Sequence, residues 1–273
     1  MYPMATVNTI FKYVCSGILA IAFAMMLSAC KSTEVDETAG WSINKLYAEA
    51  KAAAQANDYD KAVEYYNKLE GRAAGTMLAQ QAQLEAAYTL YRQGKKEDAI
   101  TKIDRFMQLH PGSPAIDYAL YLKGTIYFSG DIGYFGSYFN KDLSQRDQLA
   151  AKDAFQVFNE LVTRFPDSRY TPDARARMVY ILNSIAQSGV NIARYYYKKG
   201  AYIAAINRAE EAIRNYQQAP ALEEALYIVY MAYEKMGMHD LSVDAKRVMD
   251  LNYPNSELHK KGLPGNQKWW GLW

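Results

Sequence analysis

The chain has 273 residues and a formal net charge of +2, with 50% hydrophobic and 22% charged residues. A net charge this small argues against a general nucleic-acid binder, which usually carries a strongly basic patch. A chain of this length can bury a sizeable hydrophobic core.

The N-terminus has the pattern of a cleaved signal peptide. Lys12 is its one charged residue, and residues 13–27 form the apolar run YVCSGILAIAFAMML. This run is short for a membrane-spanning helix, which needs about 20 residues. Leu27-Ser28-Ala29-Cys30 matches all four positions of the bacterial lipobox. We therefore predict cleavage between Ala29 and Cys30 and lipidation of the Cys30 thiol; an uncleaved membrane anchor is the alternative.

The predicted anchor also indicates a location. Two or more acyl chains give stable membrane attachment. Lys31 follows the lipidated cysteine, in place of the Asp that commonly retains lipoproteins in the inner membrane, which favours the periplasmic leaflet of the outer membrane. Cys15 leaves with the signal peptide, so the mature domain has no disulfide, thiol catalyst or cysteine metal cluster.

Beyond a flexible tether at residues 31–40, the periodicity is helical. Helices are predicted at 43–56, 59–70, 77–93, 96–109, 114–128, 149–165, 171–199, 201–217, 219–236 and 239–252. No β-alternating run of useful length appears.

These helices repeat in pairs. A residue that tolerates the left-handed conformation stands at four turns, and a small residue follows five positions later. The turn residues are Asn57, Gly94, Gly200 and Gly237, and the small residues are Ala62, Ala99, Ala205 and Ser242. A further unit fits around Gly124, Ala154 and Pro166 once an insertion near 129–148 is removed. The spacing resembles the tetratricopeptide repeat, so we predict an all-α tetratricopeptide-repeat solenoid of about five helix pairs with an insertion loop.

The predicted organisation has five parts. They are the signal peptide (1–29), the lipidated cysteine and tether (30–40), the N-terminal repeats (41–170), a long helix with the C-terminal repeats (171–256) and a Trp-rich tail (257–273).

No catalytic constellation is visible in the sequence. The three histidines lack metal-ligand spacing, no phosphate-binding glycine loop occurs, and Glu223-Glu224 fits a solvated helix face. We expect no enzymatic activity, cofactor or metal. Stacked repeats instead form extended surfaces that bind peptides or protein domains.

Two segments depart from repeat packing. The insertion carries Tyr134, Phe135, Tyr138 and Phe139 between glycines, and either contacts a partner or membrane or folds onto its own repeats. In the tail, Trp269, Trp270 and Trp273 either form an interface or membrane contact or fold back to cap the last helix pair.

Four segments carry a resemblance over nearly the whole mature chain. They are WSINKLYAEA (41–50), AIDYALYLKG (115–124), LVTRFPDSRYTPDARARMV (161–179) and ARYYYKKGAYIAAINRAEEAI (193–213). With the lipobox, they resemble the BamD (ComL) family of outer-membrane β-barrel assembly lipoproteins. This resemblance implies a non-catalytic subunit that binds the POTRA domains of BamA and other Bam lipoproteins. It also implies that the subunit receives unfolded outer-membrane proteins.

The resemblance carries over two partner-binding residues. Asn207-Arg208 corresponds to the family's BamA-facing position, where Arg208 could pair with a partner carboxylate or with its own Glu210 or Glu211. The turn after the first repeat departs from the family, because Gly71–Thr76 lacks the usual aromatic-Pro pattern, and no substrate-binding residue is carried over there. A repeat adaptor for peptidoglycan or DNA uptake and a lipoprotein enzyme are the alternative functions.

Overall fold

The computed structural model describes residues 36–128 and 145–263. The predicted lipidation site at Cys30, the aromatic loop 134–139 and the three tail tryptophans lie outside them. In the described ranges every regular element is a helix. The helices are α1 (Ile43–Gln55), α2 (Tyr59–Arg72), α3 (Met77–Arg92), α4 (Lys96–Leu109), α5 (Ile116–Phe128), α6 (Gln145–Arg164), α7 (Thr171–Lys198), α8 (Tyr202–Asn215), α9 (Leu222–Lys235), α10 (His239–Asn252) and α11 (Leu258–Lys261).

The prediction of ten helices in five pairs is confirmed, with helix ends that differ from the predicted ones by at most four residues. Helix α6 begins at Gln145, four residues earlier than predicted, and the four-residue helix α11 was not predicted. None of the helices in the described part of the chain is long and apolar enough to cross a membrane.

Contacts divide the chain into Met1–Lys45 and Leu46–Trp273. In the described end of the first unit, the Ser42 hydroxyl accepts a hydrogen bond from the Lys45 amide at 3.2 Å. In the second unit, from α2 to α10, each helix packs against the next one in the chain. The five domain boundaries drawn from the sequence remain a prediction.

The turns within the pairs have the predicted backbone. Asn57, Gly94, Gly200 and Gly237 have φ values of 63°, 85°, 78° and 71°. This left-handed conformation ends one helix and starts the next within a few residues. The small residues that follow are buried, with Ala62, Ala99, Ala154 and Ala205 at 0% exposure and Ser242 at 1%. Helices can therefore cross at close range at these positions.

Two hydrophobic cores lie along the stack, and α7 contributes to both. Ile181 and Ile185 belong to a core shared with α3–α6. Val190 and Ala193, further along the same helix, belong to a core shared with α8 and α9. The 28 residues of α7 thus connect the N-terminal repeats to the C-terminal repeats.

Candidate interaction surface

Helix α8 presents the two partner-binding residues predicted from the sequence. Its apolar side is buried, with Ala205 and Ala209 at 0% exposure. Asn207 and Arg208 lie on the exposed side of the same helix. The helical period places them outward because the core occupies the alanine positions.

Arg208 is held by a neighbour on its own helix. Its Nη1 donates a hydrogen bond to Glu211 Oε2 at 2.9 Å, and the two side chains are 51% and 53% exposed. Together with Tyr196 and Asn207 they line a shallow hollow of about 280 Å³. An exposed ion pair of this kind contributes only about 0–1 kcal/mol. The guanidinium can therefore exchange Glu211 for an external carboxylate at little cost.

Exposed apolar side chains lie on the same two helices that line this hollow. Ile203, one turn before Asn207, is 64% exposed, and Tyr195 on α7 is 58% exposed. The Lys199 Nζ lies 5.8 Å from the centre of the Tyr195 ring. An arginine beside exposed aromatic and aliphatic groups is a composition enriched in protein–protein interfaces.

A second arginine has a structural role that the sequence did not reveal. Arg194 on α7 forms a two-pronged ion pair with Glu224 on α9, and the two side chains are only 22% and 12% exposed. The expectation that Glu223-Glu224 is a solvated face is therefore wrong for Glu224. Because the partners are 30 residues apart, no local pattern could have paired them.

A larger cleft, of about 600 Å³, opens where α2, α3 and α4 meet. The turn Gly71–Thr76 lines one side of it. A Cβ atom added at Gly71 or Gly75 would meet no atom within 4 Å. The open space therefore coincides with the turn at which the family's aromatic residue is missing.

Polar groups converge in this cleft around Glu70. Gln83 Nε2 donates to Glu70 Oε1 at 2.8 Å, and Lys102 Nζ donates to Glu70 Oε2 at 3.3 Å. Lys102 also donates to Asn67 Oδ1 at 2.8 Å. The Gln83 amide oxygen is buried and has no hydrogen-bond partner among the described residues. The Glu70 carboxylate, at 19% exposure, is the acceptor that still reaches the cleft.

Sequence reasoning missed this cleft. Its sequence signal is Gln83, which with Thr89 is one of two polar residues among the buried residues of α3. Glu70 and Lys102 are 32 residues apart and meet only through helix packing.

Glu85 on α3 is a partly buried carboxyl group. Burial raises its pKa above the ordinary value, while Lys51 and a hydrogen bond with Gln81 act in the opposite direction. Gln81 in turn donates to the Tyr47 hydroxyl at 2.7 Å. The negative charge of Glu85 adds to the effect of burial in raising the pKa of Tyr66. The charged form of Glu85 is thus disfavoured in the folded state.

Replacing Glu85 by Gln is expected to raise the melting temperature at pH 7. A carboxyl group with a raised pKa binds more protons when folded than when unfolded. It therefore destabilises the fold as the pH rises from about 4.5, its unfolded value, through the folded pKa. The difference between wild type and variant should be small at pH 4 and fully developed at pH 7. Thermal unfolding at both pH values checks this, with the exposed Glu49→Gln as control; equal differences at the two pH values would contradict it.

No metal cluster is visible in residues 36–128 and 145–263, where no group of three or more His, Cys, Asp or Glu side chains could hold an ion. Ala29 and Cys30 lie outside these ranges, so their processing remains a prediction.

Comparison with known proteins gives consistent matches. Residues 41–248 match the family described as outer membrane lipoprotein, YfiO. The chain is 41% identical over 262 residues to the outer membrane protein assembly factor BamD of Neisseria meningitidis serogroup A, covering 94% of this chain and 98% of that relative. It is 30% identical over 236 residues to BamD of Haemophilus influenzae, covering 86% and 89%. Among solved structures, the TPR2AB-domain complex of yeast Sti1 aligns with a TM-score of 0.44 and 16% identity over 78% of each chain.

Proposed function

Because the chain belongs to the outer membrane lipoprotein family YfiO, we propose that it scaffolds the POTRA domains of BamA and receives unfolded outer-membrane β-barrel proteins for insertion. It is an outer membrane protein assembly factor, like its curated relatives, and it associates with the outer membrane. The alternative function, as a repeat adaptor for peptidoglycan or DNA uptake, is not favoured by these matches.

The proposal includes the mode of attachment. Lipid on Cys30 holds the protein on the periplasmic leaflet, and the tether that follows leaves the helix pairs free to meet periplasmic partners, including other Bam lipoproteins. The role needs no catalytic group, since an adaptor acts by holding two proteins together.

The exposed Arg208 surface carries the proposal for BamA binding. A half-exposed guanidinium in a weak local pair offers a charge for a carboxylate, and the exposed Ile203 on the same helix and Tyr195 on α7 offer apolar area to bury. An acidic residue beside an apolar patch on a POTRA domain is the matching chemistry.

The cleft around Glu70 supports the proposal for substrate receipt. An unfolded β-barrel protein presents main-chain N–H groups that have no partner before the barrel closes. The partly exposed Glu70 carboxylate can accept one of them, and Lys102 and Arg105 can donate to peptide carbonyl groups. The cleft is therefore suited to an extended chain of varied sequence.

Arg208→Glu is expected to reduce co-purification of BamA several-fold while leaving the helical circular dichroism unchanged. The substitution places a carboxylate beside Glu211 and reverses the charge offered to the partner. Arg214→Glu is the matched control, since Arg214 lies on the same helix, is 67% exposed and pairs with Glu210. Equal recovery of BamA with both variants would count against this assignment of the BamA contact.

A further inference from the structure

The last long helix, α10, exposes an aliphatic face to solvent. Leu241, Val248 and Leu251 are 47%, 41% and 76% exposed. Their spacing of seven and ten residues places them on one side of the helix. We refer to these three residues as the α10 aliphatic face.

The same three positions are different in every earlier helix pair. Each position is counted from the small buried residue near the start of the second helix of a pair, which is Ser242 in α10. The three positions lie one residue before it, six residues after it and nine residues after it. The equivalents are Lys61, Lys68 and Gly71; Asp98, Arg105 and Gln108; Asp153, Glu160 and Thr163; and Ala204, Glu211 and Arg214. None of these is an apolar residue larger than alanine, so the aliphatic face is particular to the last pair and not a consequence of the repeat.

The side of α10 on which a further repeat would pack is more polar than the same side of α4. In α4, the positions one, four and eight after the small residue are Ile100, Ile103 and Met107, which all pack into the first core. In α10 the first of these positions is still apolar, Val243 at 67% exposure, and the last two are Lys246 and Asp250. A polar outer side is what a terminal repeat needs to stay soluble.

Helix α11 already covers part of that polar side. Its His259 Nε2 lies 3.1 Å from Asp250 Oδ1. The His259 ring packs against Tyr227 and Tyr230 of α9 at 5.9 and 6.1 Å between ring centres. The α10 aliphatic face lies on another side of the helix and remains exposed, and it has three large aliphatic side chains where the outer side has Val243 alone.

We propose that the C-terminal tail covers the α10 aliphatic face with its tryptophans, Trp269, Trp270 and Trp273. Three of the four tryptophans of the chain stand in its last five residues, which gives the tail the large apolar side chains that the face would bury. Lys268 precedes the first of them, and Asp244 lies among the three aliphatic residues of the face. The tail thus matches the face in both apolar character and charge.

The reach of the tail supports this occupant over a separate molecule. Leu263, the last described residue, already packs against the second core. The six residues from there to Trp269 span at most about 20 Å, and the 14 residues of α10 are about 21 Å long. A tethered segment acts at an effective concentration in the millimolar range. A second copy or a partner would have to displace it.

Disulfide trapping in cells tests the proposal in the full-length protein. Cys15 and Cys30 are the only cysteines in the chain, so an introduced pair is unambiguous. Trp270→Cys is combined in turn with Leu241→Cys, Val248→Cys and Leu251→Cys. At least one pair should form an intramolecular disulfide in most molecules, because a disulfide forms when the Cα atoms come within about 7 Å. Trp270→Cys with Val243→Cys is the control, since Val243 is 67% exposed on another side of α10.

A protease assay reports on the same contact without touching the tryptophans. Val248→Glu with Leu251→Glu should speed tryptic cleavage after Lys268 several-fold, and Val243→Glu should not. Three outcomes would overturn the proposal. They are disulfide yields no higher than that of the control, dimers or adducts with another protein, and equal cleavage rates in all variants. None of these outcomes bears on the proposed BamA contact, because Arg208 lies on α8.

Discussion

Gly124→Ala is expected to lower the free energy of unfolding by about 1–3 kcal/mol, the usual cost of overpacking a core. An ideal Cβ at this position would lie 2.6 Å from Phe158 Cε1. The Phe158 ring has no exposed surface and belongs to the core that α5 and α6 share with their neighbours. The ring cannot swing into solvent, so the two helices must move apart. Chemical denaturation followed by circular dichroism measures the loss.

Two further variants identify the cause of this loss. Gly71→Ala is the matched control, since Gly71 also lies in a helix but an added Cβ meets nothing within 4 Å. It should stabilise the protein by up to about 1 kcal/mol, because alanine restricts the unfolded chain more than glycine does. Phe158→Leu should recover part of the stability in the Gly124→Ala background. If the two alanine substitutions changed the free energy of unfolding by similar amounts, the helices at Gly124 would not be close enough for a methyl group to overpack the core.

Cys30→Ala is expected to abolish acyl labelling and lipoprotein-type cleavage, so the apolar run 13–27 stays attached to the protein. The thioether to the lipid needs a sulfur nucleophile, and alanine offers none. Metabolic labelling with a radioactive fatty acid measures the first effect, and the size of the precursor on a gel measures the second. Cys15→Ala is the control, because it removes the other cysteine but leaves the lipobox intact, and label persisting on Cys30→Ala would refute the assignment.

The sequence was sufficient to predict the helices and their pairing. The positive φ values at Gly94 and Gly237, and the complete burial of Ala99 and Ala205, follow from local rules about which residues tolerate a left-handed turn or a close helix crossing. The same pattern of turn residues and small residues recurs along the chain, so each helix pair supports the assignment of the others.

The polar contacts between helices were beyond the reach of sequence reasoning. Glu224 looked like a solvated residue, and its pairing with Arg194 depends on how α7 and α9 pack. The Glu70 cleft likewise depends on three helices ending near one another around a turn of small residues. For Arg208, the sequence left two local partners open, and the structure shows Glu211.

By itself, the sequence determined the repeat architecture of this protein, because turn residues and small buried residues act within a single helix pair and leave a periodic trace. The family resemblance also came from the sequence, through segments that match as strings of residues. Only the tertiary structure decided which charged groups are paired, which glycine is pressed against an aromatic ring, and where an open cleft or an uncovered aliphatic face remains. The Arg194–Glu224 pair and the Glu70–Lys102 contact, for example, join residues 30 and 32 positions apart, and the packing of whole helices sets the distance between them.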